Sequence, residues 1–457
     1  MTGVADTVGD FECLPGRPCA QIAMDGIDIT PSSSKDEGWA CEAVQVAAEG
    51  AVEPALPPAC KSDDSEPWVS RYDTTFTAPA NASAPLDSEG WSTMPASWSG
   101  MPLGDGDTVS LTSVDSRGQL GFLLGKADAY DEFHELIKVG RVLVDISPPL
   151  VGADFRQTLH YANASMTVSA GGYHVVLWLA QGTLHVEASR GDAAPFSLRA
   201  RIDIWRNASY LVPSYGGGPC GCGACNKSLH VRHADTVVKG DAPLWYHRNE
   251  LRPEVFSPGD GSLWAQELRF AGLGSAIDRG LSRDPLTNKT FGALLRGESV
   301  GGRQWRALDG APGIETSASV SAPAVLSVHV LSAQTETAAE YEHMLRQKAR
   351  TAPALAQARA ANGQEWARIW GRSRLQVLKS TNATQNVAHT TAMYVATRFI
   401  ALLEQRGGPK KFNGGILNPD LGSEHDRCSS VPPGGVGGQC SADYRGWSGA
   451  FWFQNTR

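Results

Sequence analysis

The sequence lacks a hydrophobic run of the roughly eighteen residues that a membrane-spanning helix needs; the stretch Val175 to Ala180 is only strand-sized. A helical membrane span is therefore excluded. The chain also lacks a basic surplus. Its 40 Lys and Arg against 48 Asp and Glu leave a net charge of −8, without the general attraction to phosphate on which nucleic-acid binders rely. Met1 to Asp10 has neither a basic stretch nor an apolar core, so no signal peptide is visible. Familiar catalytic signatures are missing as well. Gly121 to Ala127 is one residue short of a P-loop and has no Ser or Thr to hold magnesium. In Gly446-Trp-Ser448-Gly-Ala450, Ala stands where a nucleophile elbow needs Gly, and no His-Glu-X-X-His occurs.

What the chain does have is 42% hydrophobic residues over 457 positions, enough to bury real cores in two to four domains. Gly and Pro together make up about 17% of it against an average of about 12%, a surplus that suits a turn-rich β protein. Of twelve Asn, six open an Asn-X-Ser/Thr triplet: Asn81, Asn163, Asn207, Asn226, Asn288 and Asn382. Such acceptors belong in solvated turns of a glycoprotein. The nine Cys fall in local groups, Cys13 to Cys60, Cys220 to Cys225, and Cys428 with Cys440, as loop-stapling disulfides do in oxidising compartments. The expected location is secreted or in the endomembrane lumen, with an incomplete start accounting for the unseen signal peptide.

Along the chain, residues 1–90 read as an irregular, acidic, Cys-containing segment and linker. From 91 to 332 short alternating runs appear: Val142, Val144 and Ile146; Met166 and Val168; Leu184 and Val186. This period, punctuated by turn residues, predicts an antiparallel β-sandwich, with Ala324 to Leu331 as a last buried strand. Near residue 335 the period becomes helical. Residues 333–378 read as a helical linker, split at Pro353 into Ala338 to Arg350 and Ala354 to Leu375. Trp366, Ile369 and Trp370 share one face of the second helix. A further helix is expected over Asn382 to Arg406, ended by Gly407-Gly408-Pro409. Phe451, Trp452 and Phe453 are core-type residues with no polar cap after them, so the C-terminus also reads as incomplete.

Three thiols, Cys220, Cys222 and Cys225, with His230 and His233 nearby, could form a tetrahedral zinc site. The Cys220–Cys222 spacing is too tight for the usual knuckle and Asn226 would place a glycan beside the metal, so disulfides are the better reading. No metal and no cofactor is expected. Cys428 and Cys440 bracket the flexible Pro432 to Gly438 loop and are disulfide candidates. Three polar–aromatic clusters stand out: Trp98 to Asp107, Gly408 to Ile416, and Asp443 to Trp447 followed by Phe451 to Arg457. Aromatic faces beside Asn, Gln, Asp and Arg suit sugar rings, stacking on C–H faces while the polar groups meet hydroxyls. The alternative is that Trp447, Phe451 and Trp452 are helix-core residues.

On these residues the chain resembles a six-hairpin glycosidase-like family of unknown function, related to glycoside hydrolase family 95, the α-L-fucosidase type. The resemblance runs in order through Met101 to Asp107, Lys126 to Tyr130, Leu136 to Arg141, Phe155 to Leu159 and Trp245 to Asn249. It continues through Asp284 to Gly292, Trp366 to Trp370, Lys411 to Gly415 and Trp452 to Arg457. It implies an N-terminal β-sandwich, a helical linker, and an (α/α)6 barrel, of which residues 379–457 would be the opening part. In such enzymes one carboxylic acid protonates the leaving oxygen while an activated water attacks with inversion. Asn413, Trp447, Gln454, Asn455 and Arg457 lie in segments resembling pocket linings, and Asp443, Arg445 and Trp452 complete the expected sugar-binding set. Asp105 stands where relatives usually carry Asn. The family's acid and base lie beyond Arg457, so no catalytic pair is assigned; Asp443 and Glu424 read as ion-pair partners of Arg445 or Arg427. The expected function is cleavage or binding of a terminal sugar of a poly- or oligosaccharide. The alternative is a non-catalytic carbohydrate-binding or scaffold protein that retains the sandwich; a phosphorylase fits the acidic balance less well.

Overall fold

A computed structural model describes residues 67–79, 100–132, 136–192, 194–211, 231–250, 263–281, 285–298, 305–316, 323–372, 375 and 387–404, with the backbone of strands inside residues 1–53. The chain divides into two compact units. The first holds Met1–Asp73, Tyr161–Asn163 and Gln364–Thr397; the second holds Thr74–His160, Ala164–Gly363 and Arg398–Arg457.

In the first unit, residues 1–53 carry strands where irregular chain was the expectation. Cys19–Asp28 pairs in parallel with Val44–Glu53, Gly9–Glu12 with Trp39–Glu42, and Val4–Ala5 with Thr30–Pro31. The pattern was present but faint: Val44, Val46, Ala48 and Val52 alternate, diluted by small residues between them. The unit's described core is aromatic. Trp68 meets Trp370 edge-to-face at 6.0 Å, and Trp370 lies 6.3 Å from Trp366. Trp366, Ile369 and Trp370 are all buried, and the Trp370 indole donates to Tyr161 O at 2.7 Å.

In the second unit, two antiparallel sheets form a sandwich. One sheet has seven strands, in spatial order Trp305–Ala307, Gly313–Thr316, Ser197–Asp203, Gly140–Ser147, Leu120–Lys126, Thr108–Val114 and Met101–Gly104. The other has nine: Thr236–Val238, Leu244–Arg248, Lys289–Glu298, Ala324–Gln334, Thr183–Arg190, Tyr173–Ala180, Ser165–Ala170, Arg156–His160 and Thr74–Phe76. That last edge strand comes from residues 1–90, read as an irregular segment and linker. Alternation decides what is inside: Val142, Val144, Met166, Val168, Leu184 and Val186 are fully buried. Gln157 crosses between the sheets, its Nε2 donating to Thr112 O at 3.2 Å.

Ala324–Gln334 is buried on both faces over its first seven residues. The reason is the helix Ala338–Thr351, which lays Tyr341, Leu345 and Ala349 against Leu244, Tyr246 and Leu294 of the sheet. Its start is fixed by a capping box: Thr337 Oγ1 accepts from Glu340 N, and Glu340 Oε2 accepts from Thr337 N, each at 3.2 Å. Two further helices follow, Leu355–Gly371 and Val387–Glu404. The rest of the expected barrel segment, residues 405–457, lies outside the described residues, and no toroid is seen among those described. No helix among the described residues is long and apolar enough to cross a membrane.

Candidate functional site

The sequence blocks that carry the family resemblance are far apart along the chain, yet five of them meet in the sandwich unit. Lys126 closes the strand Leu120–Lys126, and its Nζ reaches Asp107 Oδ2 at 2.6 Å and Asp128 Oδ1 at 2.9 Å. Lys289, the first residue of its strand, donates to Asp128 Oδ2 at 2.5 Å. Ser332 Oγ reaches both oxygens of the same carboxylate, at 2.7 and 2.6 Å. Asn249 Nδ2 donates to Tyr130 O at 3.1 Å and Leu286 O at 3.2 Å, and Trp245 Nε1 to Val139 O at 2.8 Å. The Asp107–Lys126, Asp128–Lys289, Tyr130–Asn249, Leu286–Asn249 and Val139–Trp245 contacts each tie one block to another, while Ser332 joins from the strand Ala324–Gln334.

The charges in this group are layered. The Lys126 and Lys289 side chains are 9% and 14% exposed, whereas those of Asp107 and Asp128 are 56% and 42% exposed. Burial alone would raise the Asp128 carboxyl, but Lys126 and Lys289 outweigh it and hold the group well below the usual carboxylate range. Burial likewise disfavours the charged Lys126, and Asp128 and Asp107 reverse this, keeping it cationic. The outward face is thus two part-exposed carboxyl groups, that of Asp128 held ionised, backed by lysine side chains. It can accept hydrogen bonds from hydroxyls; it cannot donate a proton as a general acid.

Asp105, read as standing where relatives carry Asn, is met entirely by donors. Its Oδ1 accepts from Thr108 N at 2.9 Å and Asp107 N at 3.2 Å, and its Oδ2 accepts from Gly182 N at 2.5 Å. All three partners are donors, so an acceptor-only side chain satisfies the loop. Gln181 and Gly182, with φ of 52° and 66°, make the two-residue turn joining Tyr173–Ala180 to Thr183–Arg190. Left-handed conformation at both positions is the usual demand of such a turn. The same loop reaches helix Val387–Glu404, where Gly106 N donates to Leu403 O at 2.9 Å.

Beside the exposed group lies a buried ionic network that sequence reasoning missed. His247 has no exposure; its Nδ1 lies 3.1 Å from Asp235 Oδ1 and its Nε2 3.2 Å from Glu132 Oε2. Both ring nitrogens face carboxylate oxygens, so both must carry hydrogens. Burial works against that cation, but the hydrogen bonds it donates to Asp235 and Glu132 raise its pKa to about 9. Arg206 grips Asp235 through Nε and Nη2, both at 2.8 Å, and Arg232 grips Asp131 at 2.7 Å. Three cations thus stand against three anions, the neutral balance that burial demands. Of these residues, only His247 falls in a recognised block; Asp131 and Glu132 directly follow one.

Several expected site residues lie outside the described residues: Asn413, Asp443, Arg445, Trp447, Trp452, Gln454, Asn455, Arg457, Cys428, Cys440, and the three thiols Cys220, Cys222 and Cys225. Asn81, Asn226 and Asn382 do as well. Asn163 and Asn207 are exposed in a turn and a bend, and Asn288 is half-buried in a turn. Among the described residues no group of three or more His, Cys, Asp or Glu side chains is placed to hold a metal ion. His233 instead lies 3.5 Å from Glu250.

No curated protein matches the chain in sequence. A solved structure named "Putative kojibiose phosphorylase from human microbiome" is similar with 8% identity and a TM-score of 0.28, over 58% of this chain and 35% of that one. The chain therefore spans about a third of that protein's length. Residues 91–375 match DUF5703_N, "Domain of unknown function (DUF5703)", and the chain belongs to that family.

Proposed function

We propose that this chain is the sandwich-bearing part of a glycoside hydrolase-like protein that binds, and in its full-length form cleaves, a terminal sugar by an inverting acid/base mechanism. The observation that carries the reading is the meeting of Met101 to Asp107, Lys126 to Tyr130 and Asp284 to Gly292 around two half-exposed carboxyl groups. Sugar hydroxyls are matched donors for such a face, and Asp107 and Asp128 serve as acceptors rather than as acid or base. The remaining sugar contacts fall to Asn413, Asp443, Arg445, Trp447, Trp452, Gln454, Asn455 and Arg457.

The test is titration of the full-length protein with neutral oligosaccharides by calorimetry, alongside a screen of chromogenic glycosides. Asp107→Ala, which removes one charged acceptor at an exposed position, is expected to weaken binding about tenfold or more. Unchanged affinity in Asp107→Ala and Trp452→Ala together would remove the proposed site. Binding without turnover of any glycoside selects the non-catalytic alternative.

A secretory route is part of the same reading. Expressed through a secretory pathway, the protein should lose mass on treatment with peptide N-glycosidase, and the loss should shrink when the exposed Asn163 and Asn207 are both replaced by Gln. An unaltered mass on enzyme treatment counts against that route.

A further inference from the structure

We propose that the sandwich holds a small-anion site, of halide class, beneath the Gln181–Gly182 turn. The site would be built by Lys348, Thr108 and His329. A Cβ on Gly182 would stand 2.5 Å from Lys348 Nζ and 3.5 Å from Thr108 Oγ1, so both polar atoms border one point under the turn. Thr108 is fully buried, and its hydroxyl has no hydrogen-bond partner among the described residues. His329 pairs with Leu294 across the ladder and so shares the face that the helix Ala338–Thr351 covers. Its Nδ1 lies 3.1 Å from Thr183 Oγ1, while its buried Nε2 has no partner among the described residues.

Of the two polar atoms that border this point, Lys348 Nζ donates to Val330 O at 2.7 Å and Thr108 Oγ1 has no partner among the described residues. The carboxylate acting on Lys348 most strongly is that of Asp105, whose two oxygens are already engaged by three backbone amides. An ammonium with two hydrogens left, a hydroxyl, and an imidazole able to place its proton on Nε2 form a donor set for one spherical anion. Orphaned buried donors are costly, and a chloride would satisfy them while balancing the Lys348 charge. Burial pushes Lys348 below its ordinary pKa, the direction a neighbouring anion would oppose. Because Asp105 and Gly182 join this turn to the Met101–Asp107 loop, an occupied site would also stiffen that loop.

Thermal unfolding of the full chain in sodium chloride and in sodium gluconate, at matched ionic strength, tests this. Chloride at tenfold excess over its Kd is expected to raise the melting temperature by about 3 °C, growing beyond that only with the logarithm of its concentration. Lys348→Met and Thr108→Val should each abolish the chloride-specific increment, and a bromide soak should give an anomalous peak beneath Gly182. Equal melting in both salts would mean that water alone meets these donors and would overturn the site. The same increment in wild type and in both variants would place the chloride effect elsewhere, with the same consequence.

Discussion

Replacement of His247 by Leu should lower folding stability by about 3–5 kcal/mol, the usual cost of stripping one partner from a buried charge group. Asp235 would keep its two bonds from Arg206. Glu132 would lose its charged partner and keep backbone amides, its own and that of Glu250 at 3.4 Å. Removing that carboxylate too, in His247→Leu with Glu132→Leu, should recover a large part of the loss, and denaturant unfolding measures both steps. The unaltered protein carries a matching pH signature. His247 is raised from 6.5 to about 9 in the folded state, so its contribution is complete below pH 6.5 and disappears as pH climbs through 9. The full effect is about 3 kcal/mol. A stability profile flat between pH 6.5 and 9.5, or one unchanged in the Leu variant, would show that no imidazolium is held there.

Trp245→Ala should be comparably severe, with a loss of about 3–5 kcal/mol. The indole is fully buried, it donates to Val139 O, and it packs so tightly on Gly140 that a Cβ there would collide with it. Gly140 has a φ of 151°, a conformation that other residues rarely adopt. Trp245→Phe would keep most of the apolar contact but leave the carbonyl short of a donor, for about 1–3 kcal/mol. Chemical denaturation of the two variants gives the comparison; an Ala variant as stable as wild type would refute this account of the seam.

Much of the sandwich was legible because burial on one face writes a period of two into sequences such as Val142, Val144 and Ile146. The helix Ala338–Thr351 was equally open, a run of good helix formers closed off by Pro353. The strands in residues 1–53 were harder, since Ala and Gly dilute the contrast on which alternation depends. The ionic network was not legible at all. Glu132 and His247 lie 115 residues apart, and only the folding of distant strands brings them together. Asp105 taught a different lesson: it read as standing where relatives carry Asn, yet the three amides around it need only an acceptor.

The helix Ala338–Thr351 has a consequence for ancestry. By covering Leu244, Tyr246 and Leu294 it completes the hydrophobic seal of the nine-stranded sheet. A gene exchange that broke the chain just after Gln334 would leave those side chains bare and the protein prone to clumping. Recombination in this lineage should therefore respect Thr351 rather than Gln334 as the boundary of the heritable module.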